Sequence, residues 1–96
     1  MIEIVKTNHE NSRKVYIPVW AYYTASGQIR PLAMRLGEET IKVKKVIDVR
    51  PRASRKIGGA GIRYLCTVED EYIRSKGLKA KKMELYLEGK RWFIEA

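Results

Sequence analysis

The sequence predicts an all-β fold with room for one short helix: a small antiparallel barrel, SH3-like or OB-like, of five to six strands. Three observations carry that expectation. Short segments alternate apolar and polar residues with a period of two, turn-forming residues separate them at close intervals, and no amphipathic helix of any length is visible. At 96 residues the chain holds a single core. Strands that are apolar on both faces can be buried in so short a chain only if the sheet bends back on itself.

Taken in order, Ile2 to Val5 alternates like a short strand and Thr7 to Ser12 is polar and turn-rich, so residues 1–13 read as an edge strand or flexible arm. Residues 14–96 read as one β-barrel domain. Lys14 to Tyr23 is β-branched and aromatic on both parities, which predicts a strand covered on two sides. Pro18 places it at an edge or bends it there, because proline donates no ladder hydrogen bond. Thr24 to Gln28 forms a hairpin turn, Ile29 to Leu36 returns as a strand interrupted by Pro31, and Gly37 to Glu39 turns again.

From Thr40 to Arg50, Ile41 and Val43 alternate with Lys42 and Lys44. Lys45 then shifts the phase, as a β-bulge would. Pro51 to Gly61 holds one Pro and three Gly and is expected to be a loop. Gly61 to Glu69 resumes alternation, with Ile62, Tyr64, Cys66 and Val68 on one face. Asp70 and Gly77 suit the two caps of a short helix, although a long hairpin tip fits the same residues. Met83, Leu85 and Leu87 alternate with polar neighbours, Gly89-Lys90 makes a two-residue turn, and Arg91 to Glu95 closes the chain as a strand.

Charge supplies the functional signal. Twenty Lys and Arg against eleven Asp and Glu leave +9, with a pI near 9.9, so the protein attracts polyanions at neutral pH. The excess is segregated: Lys42 to Arg63 carries eight cations and only Asp48, and Arg74 to Lys82 carries five cations and no acid. Solubility alone calls for interspersed signs.

Arg50-Pro-Arg-Ala-Ser-Arg-Lys-Ile-Gly-Gly-Ala-Gly-Ile-Arg63 is the strongest candidate for chemistry. Glycines let backbone N–H groups approach an anion, and arginine forks match phosphate oxygens. It is neither the Walker loop nor the dinucleotide fingerprint, since the spacing differs and a strand follows. The plain structural reading is a glycine turn with solvated cations. Among the aromatics, Tyr64, Trp92 and Phe93 are expected in the core, whereas Tyr16, Trp20, Tyr22 and Tyr86 fall on the opposite parity and are expected to be exposed.

Other classes find little support. The longest uncharged run starts at Val15 and contains Pro18, Ser26 and Gly27, so no apolar stretch of about 18 residues exists to span a bilayer. Met1 to Lys6 does not read as a secretory signal and the lone Cys66 cannot form an internal disulfide, which makes a reducing cytoplasm the expected compartment. His9 is the only histidine, and one Cys with one His does not build a usual zinc site; neither cofactor nor metal is expected.

The segments Ile17-Pro18-Val19, Gly58-Gly59-Ala60-Gly61-Ile62-Arg63-Tyr64 and Trp92-Phe93-Ile94-Glu95 resemble a group of short, uncharacterised bacterial proteins. That group is similar to residues 15–96 and departs between Asp70 and Lys82. The resemblance implies a compact β domain and an accessory role in bacterial DNA maintenance.

The expected function is therefore a non-catalytic nucleic-acid-binding module, for DNA or RNA. In it Arg50, Arg52, Arg55, Lys56 and Arg63 contact phosphates, Lys42 and Lys44 extend the track, and Trp20 or Tyr22 stacks on a base. One alternative is an adaptor that docks an acidic protein partner. A second is a small metal-free, toxin-like ribonuclease. Either a monomer or a homodimer paired through edge strands is compatible with these readings.

Overall fold

A computed structural model describes residues 13–53 and 60–96. Its elements are β1 (Lys14–Tyr16), β2 (Val19–Tyr23), β3 (Ile29–Leu36), β4 (Glu39–Ala53), β5 (Ala60–Glu69), α1 (Glu71–Lys76), β6 (Lys81–Glu88) and β7 (Arg91–Glu95). The strands form one antiparallel sheet in the order β1-β7-β6-β5-β4-β3-β2. The all-β expectation with one short helix holds. Seven strands replace the expected five to six, and a curled half-barrel replaces the closed barrel.

Pro18 is the reason for both differences. It breaks Lys14 to Tyr23 into two strands that pair with opposite edges of the sheet, β1 with β7 and β2 with β3. The corner between them is held by Ile17 N–H donating to Trp92 O at 3.0 Å and Arg35 N–H donating to Pro18 O at 3.0 Å. The sheet's two edges thus meet at one corner and stay apart elsewhere. Residues 1–12 lie outside the described residues, so the expected arm is seen only at Arg13, whose backbone pairs with that of Ala96.

Alternation sorts the side chains onto two faces. Met34, Ile41, Tyr64, Cys66, Val68, Leu85, Leu87 and Trp92 fill the inner face, with Val19, Val43, Val46 and Ile62 packed around them. Removing such side chains from water stabilises the fold by about 1.5–3 kcal/mol each. The Tyr64 hydroxyl, carried inward by its ring, donates to Ile29 O at 2.7 Å and so is not left without a partner.

Two bulges shape β4. The register runs Val43↔Val68 then Lys45↔Thr67, and Val46↔Cys66 then Asp48↔Leu65, leaving Lys44 and Ile47 as extra residues. The first of these is the phase slip legible at Lys44-Lys45. Together they keep Val43, Val46 and Val49 on the inner parity while bending the strand. β4 pairs with β3 only from Glu39 to Lys42, and just past that point the two strands part. The wedge between them is called the fork below.

The fork explains why two prolines sit inside strands. Pro31 in β3 and Pro51 in β4 both lie where their strand has a neighbour on one side only, so a missing N–H need not cost a ladder bond. Pro51 to Gly61 was expected to be a loop; instead Pro51, Arg52 and Ala53 pair with Ile62, Gly61 and Ala60. Residues 54–59 lie outside the described residues. Asp70 and Gly77 act as caps: the Asp70 carboxylate accepts from Ile73 N–H at 2.7 Å, and Gly77 takes φ 67°. Their helix buries Ile73. None of the described helices is long and apolar enough to cross a membrane.

Candidate nucleic-acid interface

The outer face carries the functional candidates, and the structure divides them into two groups. Around β1, β7, β6 and the far half of β4–β5, the cations are engaged. Arg50 bonds Asp48 at 2.7 Å, Arg52 bonds Glu95 at 2.9 Å, Arg63 pairs with Glu84, and Lys14 bonds Glu88 at 3.1 Å. Arg50 and Arg63 stand directly opposite each other in the register, where like charges repel, and each is neutralised by its own carboxylate. The hydrogen bond to Glu84 is also the chief reason the Arg63 guanidinium holds its proton more tightly than usual.

Beneath these pairs runs a row of rings. Tyr16, Phe93 and Tyr86 are cross-strand neighbours; Phe93 stacks on Tyr86 with centroids 5.0 Å apart, and Tyr16 meets Phe93 edge-on at 5.6 Å. Arg52 reaches from β4 across Gly61, its partner on β5, and lays its guanidinium 4.7 Å from the Tyr86 ring and 5.6 Å from that of Phe93. Tyr86, expected to be exposed, is therefore buried. Burial, reinforced by Glu95 and Glu84, pushes its phenol up to about 12. Arg52 and Arg63 thus stabilise the sheet here by covering rings and pairing with acids.

A different arrangement surrounds the fork. The cleft between β3 and β4, about 310 Å³ in volume, is lined by Tyr22, Thr24, Arg30, Pro31, Leu32, Val43, Lys44, Lys45 and Val46. Three of these are cations and none is an acid. Arg30 donates to Gln28 Oε1 at 3.3 Å, and its charge opposes the burial that raises the Tyr64 phenol. Lys44 has Glu69 at the limit of ion pairing, 3.9 Å away. Among the described residues no carboxylate pairs with Arg30, Lys42 or Lys45.

The register extends this patch over five strands. Tyr22 faces Arg30, Trp20 faces Ala33, and Ala33 faces Lys42; on the adjoining β5, Thr67 lies between Lys45 and Lys82. Trp20 is 50% exposed and Tyr22 is 47% exposed. Lys14 to Tyr23 is accordingly not covered on two sides, because each half is an edge strand whose outer ring surface stays half open. The larger cleft between the β3–β4 turn and α1 differs in kind, since Glu38, Glu39 and Glu71 offset Lys42 and Arg74 there.

Of the sequence-predicted residues, the structure brings Trp20, Tyr22, Lys42 and Lys44 together. It places Arg50, Arg52 and Arg63 in the ion-paired lattice instead. Arg55 and Lys56, with Gly58 and Gly59, lie outside the described residues. Arg30, Lys45 and Lys82 were missed. Arg30 sits outside both basic runs and was discoverable only from its place opposite Tyr22 across the Thr24–Gln28 turn.

Burial pushes the Cys66 thiol up to about 11, and no group of three His, Cys, Asp or Glu gathers among the described residues. Comparison of the chain with protein-family models, with curated proteins and with solved structures gives no match.

Proposed function

We propose that the protein is a non-catalytic nucleic-acid-binding module whose contact surface is the outer face around the fork. One observation carries this reading: Arg30, Lys44 and Lys45 line a cleft that has no carboxylate in its lining, and of the three only Lys44 has an acid near it, Glu69 at 3.9 Å, while Arg50, Arg52 and Arg63 of the same sheet are each bonded to a carboxylate. Cations without acidic partners make a field that attracts phosphate and give up little on binding it, whereas an arginine already bonded to a carboxylate must first lose that bond. Lys82, beyond Thr67, continues the positive surface on one side, and Lys42, beyond Ala33 and opposite Glu69, lies at its border with the acid-lined cleft by α1. Contacts of this kind position a backbone rather than read base edges, so sequence preference is expected to be slight.

The test is fluorescence anisotropy with labelled oligonucleotides across a salt series. Engaging about four phosphates predicts a slope of log affinity against log salt near −3 for a single strand, at about 0.7 per phosphate. Lys42→Glu with Lys45→Glu should abolish binding at moderate salt. Poly-glutamate of equal charge serves as competitor. Absence of binding at low salt, or displacement by poly-glutamate as effective as by unlabelled oligonucleotide, would overturn the proposal.

A further inference from the structure

We infer that the ligand is bound single-stranded, with one base stacked on Trp20 and a second seated against Tyr22 at the mouth of the fork. The inference rests on the nucleic-acid reading above and adds the state of the strand. Both rings are about half exposed on the lysine-bearing face, and a duplex, whose bases are stacked on each other, offers no ring surface for them to cover. An unstacked base does, and stacking on such a side chain is tolerant of sequence.

The spacing agrees. Trp20 and Tyr22 are two residues apart on β2 and share its outer parity, which separates them by about 6.8 Å along the strand. Bases in B-form step by about 3.4 Å, so two neighbouring bases can meet the two rings only if the strand is pulled out of its helical stack. Phosphates then have cations on the adjoining strands: Arg30 opposite Tyr22, Lys42 beyond Ala33, and Lys44 and Lys45 across the fork. Ala33 matters because its methyl group, between Trp20 and Lys42 in the register, leaves the indole face uncrowded on that side. The fork itself, at about 310 Å³, is at the small end of ligand sites and suits one base, not a helix.

Past the Ala33–Lys42 pair, no described strand lies between β3 and β4. Apart from Ile29 O, which accepts from Tyr64, and Pro31, which has no N–H, the facing edges of β3 and of Val43 to Val46 have no strand to pair with on that side and can offer backbone groups to whatever enters. A base edge can satisfy them. DNA and RNA share the bases and phosphates this geometry uses.

Anisotropy of wild type and of Trp20→Ala and Tyr22→Ala, with a twenty-nucleotide oligo-dT, an oligo-rU and a duplex of equal length, tests the inference. Expected results are at least tenfold tighter binding of a single strand than of duplex, and a loss of about fivefold or more on the single strand for each ring removed, with an unchanged salt slope. The dT and rU arms show which polymer is preferred. Because a variant can fail to fold, wild-type tryptophan emission gives a second readout: Trp92 is buried, so quenching of the exposed, red-shifted Trp20 emission by single strands and not by duplex is expected. Equal affinity for duplex, or ring variants that bind as wild type, would overturn the single-strand inference while leaving the phosphate surface standing. No salt-dependent binding of any of the three would remove both.

Discussion

Replacing Arg52 by alanine separates a structural arginine from a phosphate-binding one. Its bond to Glu95 joins side chains 35% and 29% exposed, so screening limits that contribution to about 0.5 kcal/mol. The guanidinium over the Tyr86 and Phe93 rings adds roughly 0.5–1 kcal/mol. The ring surface that the stem and head keep from water adds on the order of 1 kcal/mol. Arg52→Ala should therefore destabilise the fold by about 2 kcal/mol, which for a chain of this size lowers Tm by about 8–16 °C. Arg52→Lys keeps the charge but not the flat stack, and should lose about half as much. Urea and thermal melts followed by circular dichroism measure the stability, and anisotropy measures oligonucleotide affinity on the same samples. The reasoning predicts lower stability with unchanged affinity in both variants. An Arg52→Ala protein that melts like wild type and binds with a salt slope weakened by about 0.7 would refute it.

Four further outcomes follow from other parts of the structure. A Cβ at Gly61 would lie 3.0 Å from the Leu87 carbonyl oxygen, a backbone atom that cannot easily move aside, so Gly61→Ala should cost about 1–2 kcal/mol in a urea melt without altering affinity. The Cys66 thiol and the Tyr86 phenol hold their protons longer in the folded than in the unfolded chain, about 11 and about 12 against ordinary values of 9 and 10. The unfolded state thus ionises first, and stability should fall as pH rises from about 9 towards 11; a urea midpoint unchanged over that range would contradict the burial. In the same vein, a thiol reagent at pH 8 should leave the native protein unlabelled and react once per chain in denaturant. Asp70→Ala removes the acceptor for Ile73 N–H and should cost about 1 kcal/mol, seen as lost protection from hydrogen exchange in α1.

The elements were legible wherever local chemistry decided them. Alternation placed Tyr64, Cys66, Val68, Leu85 and Leu87 on one face, the Asp70 and Gly77 caps marked the helix, and the slip at Lys44-Lys45 announced the bulge. What depended on partners distant in sequence was hidden. Pro51 can lie within a strand only because β3 parts from β4 after Lys42, and no local pattern states where that happens. Tyr86 is buried by an arginine 34 positions earlier and a phenylalanine on the next strand. The same limit applies to the site: a block of cations counted along the chain cannot show that Arg50, Arg52 and Arg63 meet Asp48, Glu95 and Glu84, while Lys45 meets none among the described residues. Trp20 and Tyr22 were recognisable because their parity opposes that of Val19 and Ala21, although the β3 bulge opposite Trp20 and Ala21 sets which residue each faces.

The division of one outer face into a paired lattice and an unpaired fork is tested most directly by amide chemical shifts during titration with a single-stranded oligonucleotide. The account predicts that the resonances of Trp20, Tyr22, Arg30, Lys42, Lys44 and Lys45 move together and saturate, while those of Gly61, Arg63, Tyr86 and Glu95 stay in place. Shifts centred on Arg50, Arg52, Arg63 and Glu95, with the fork silent, would contradict it.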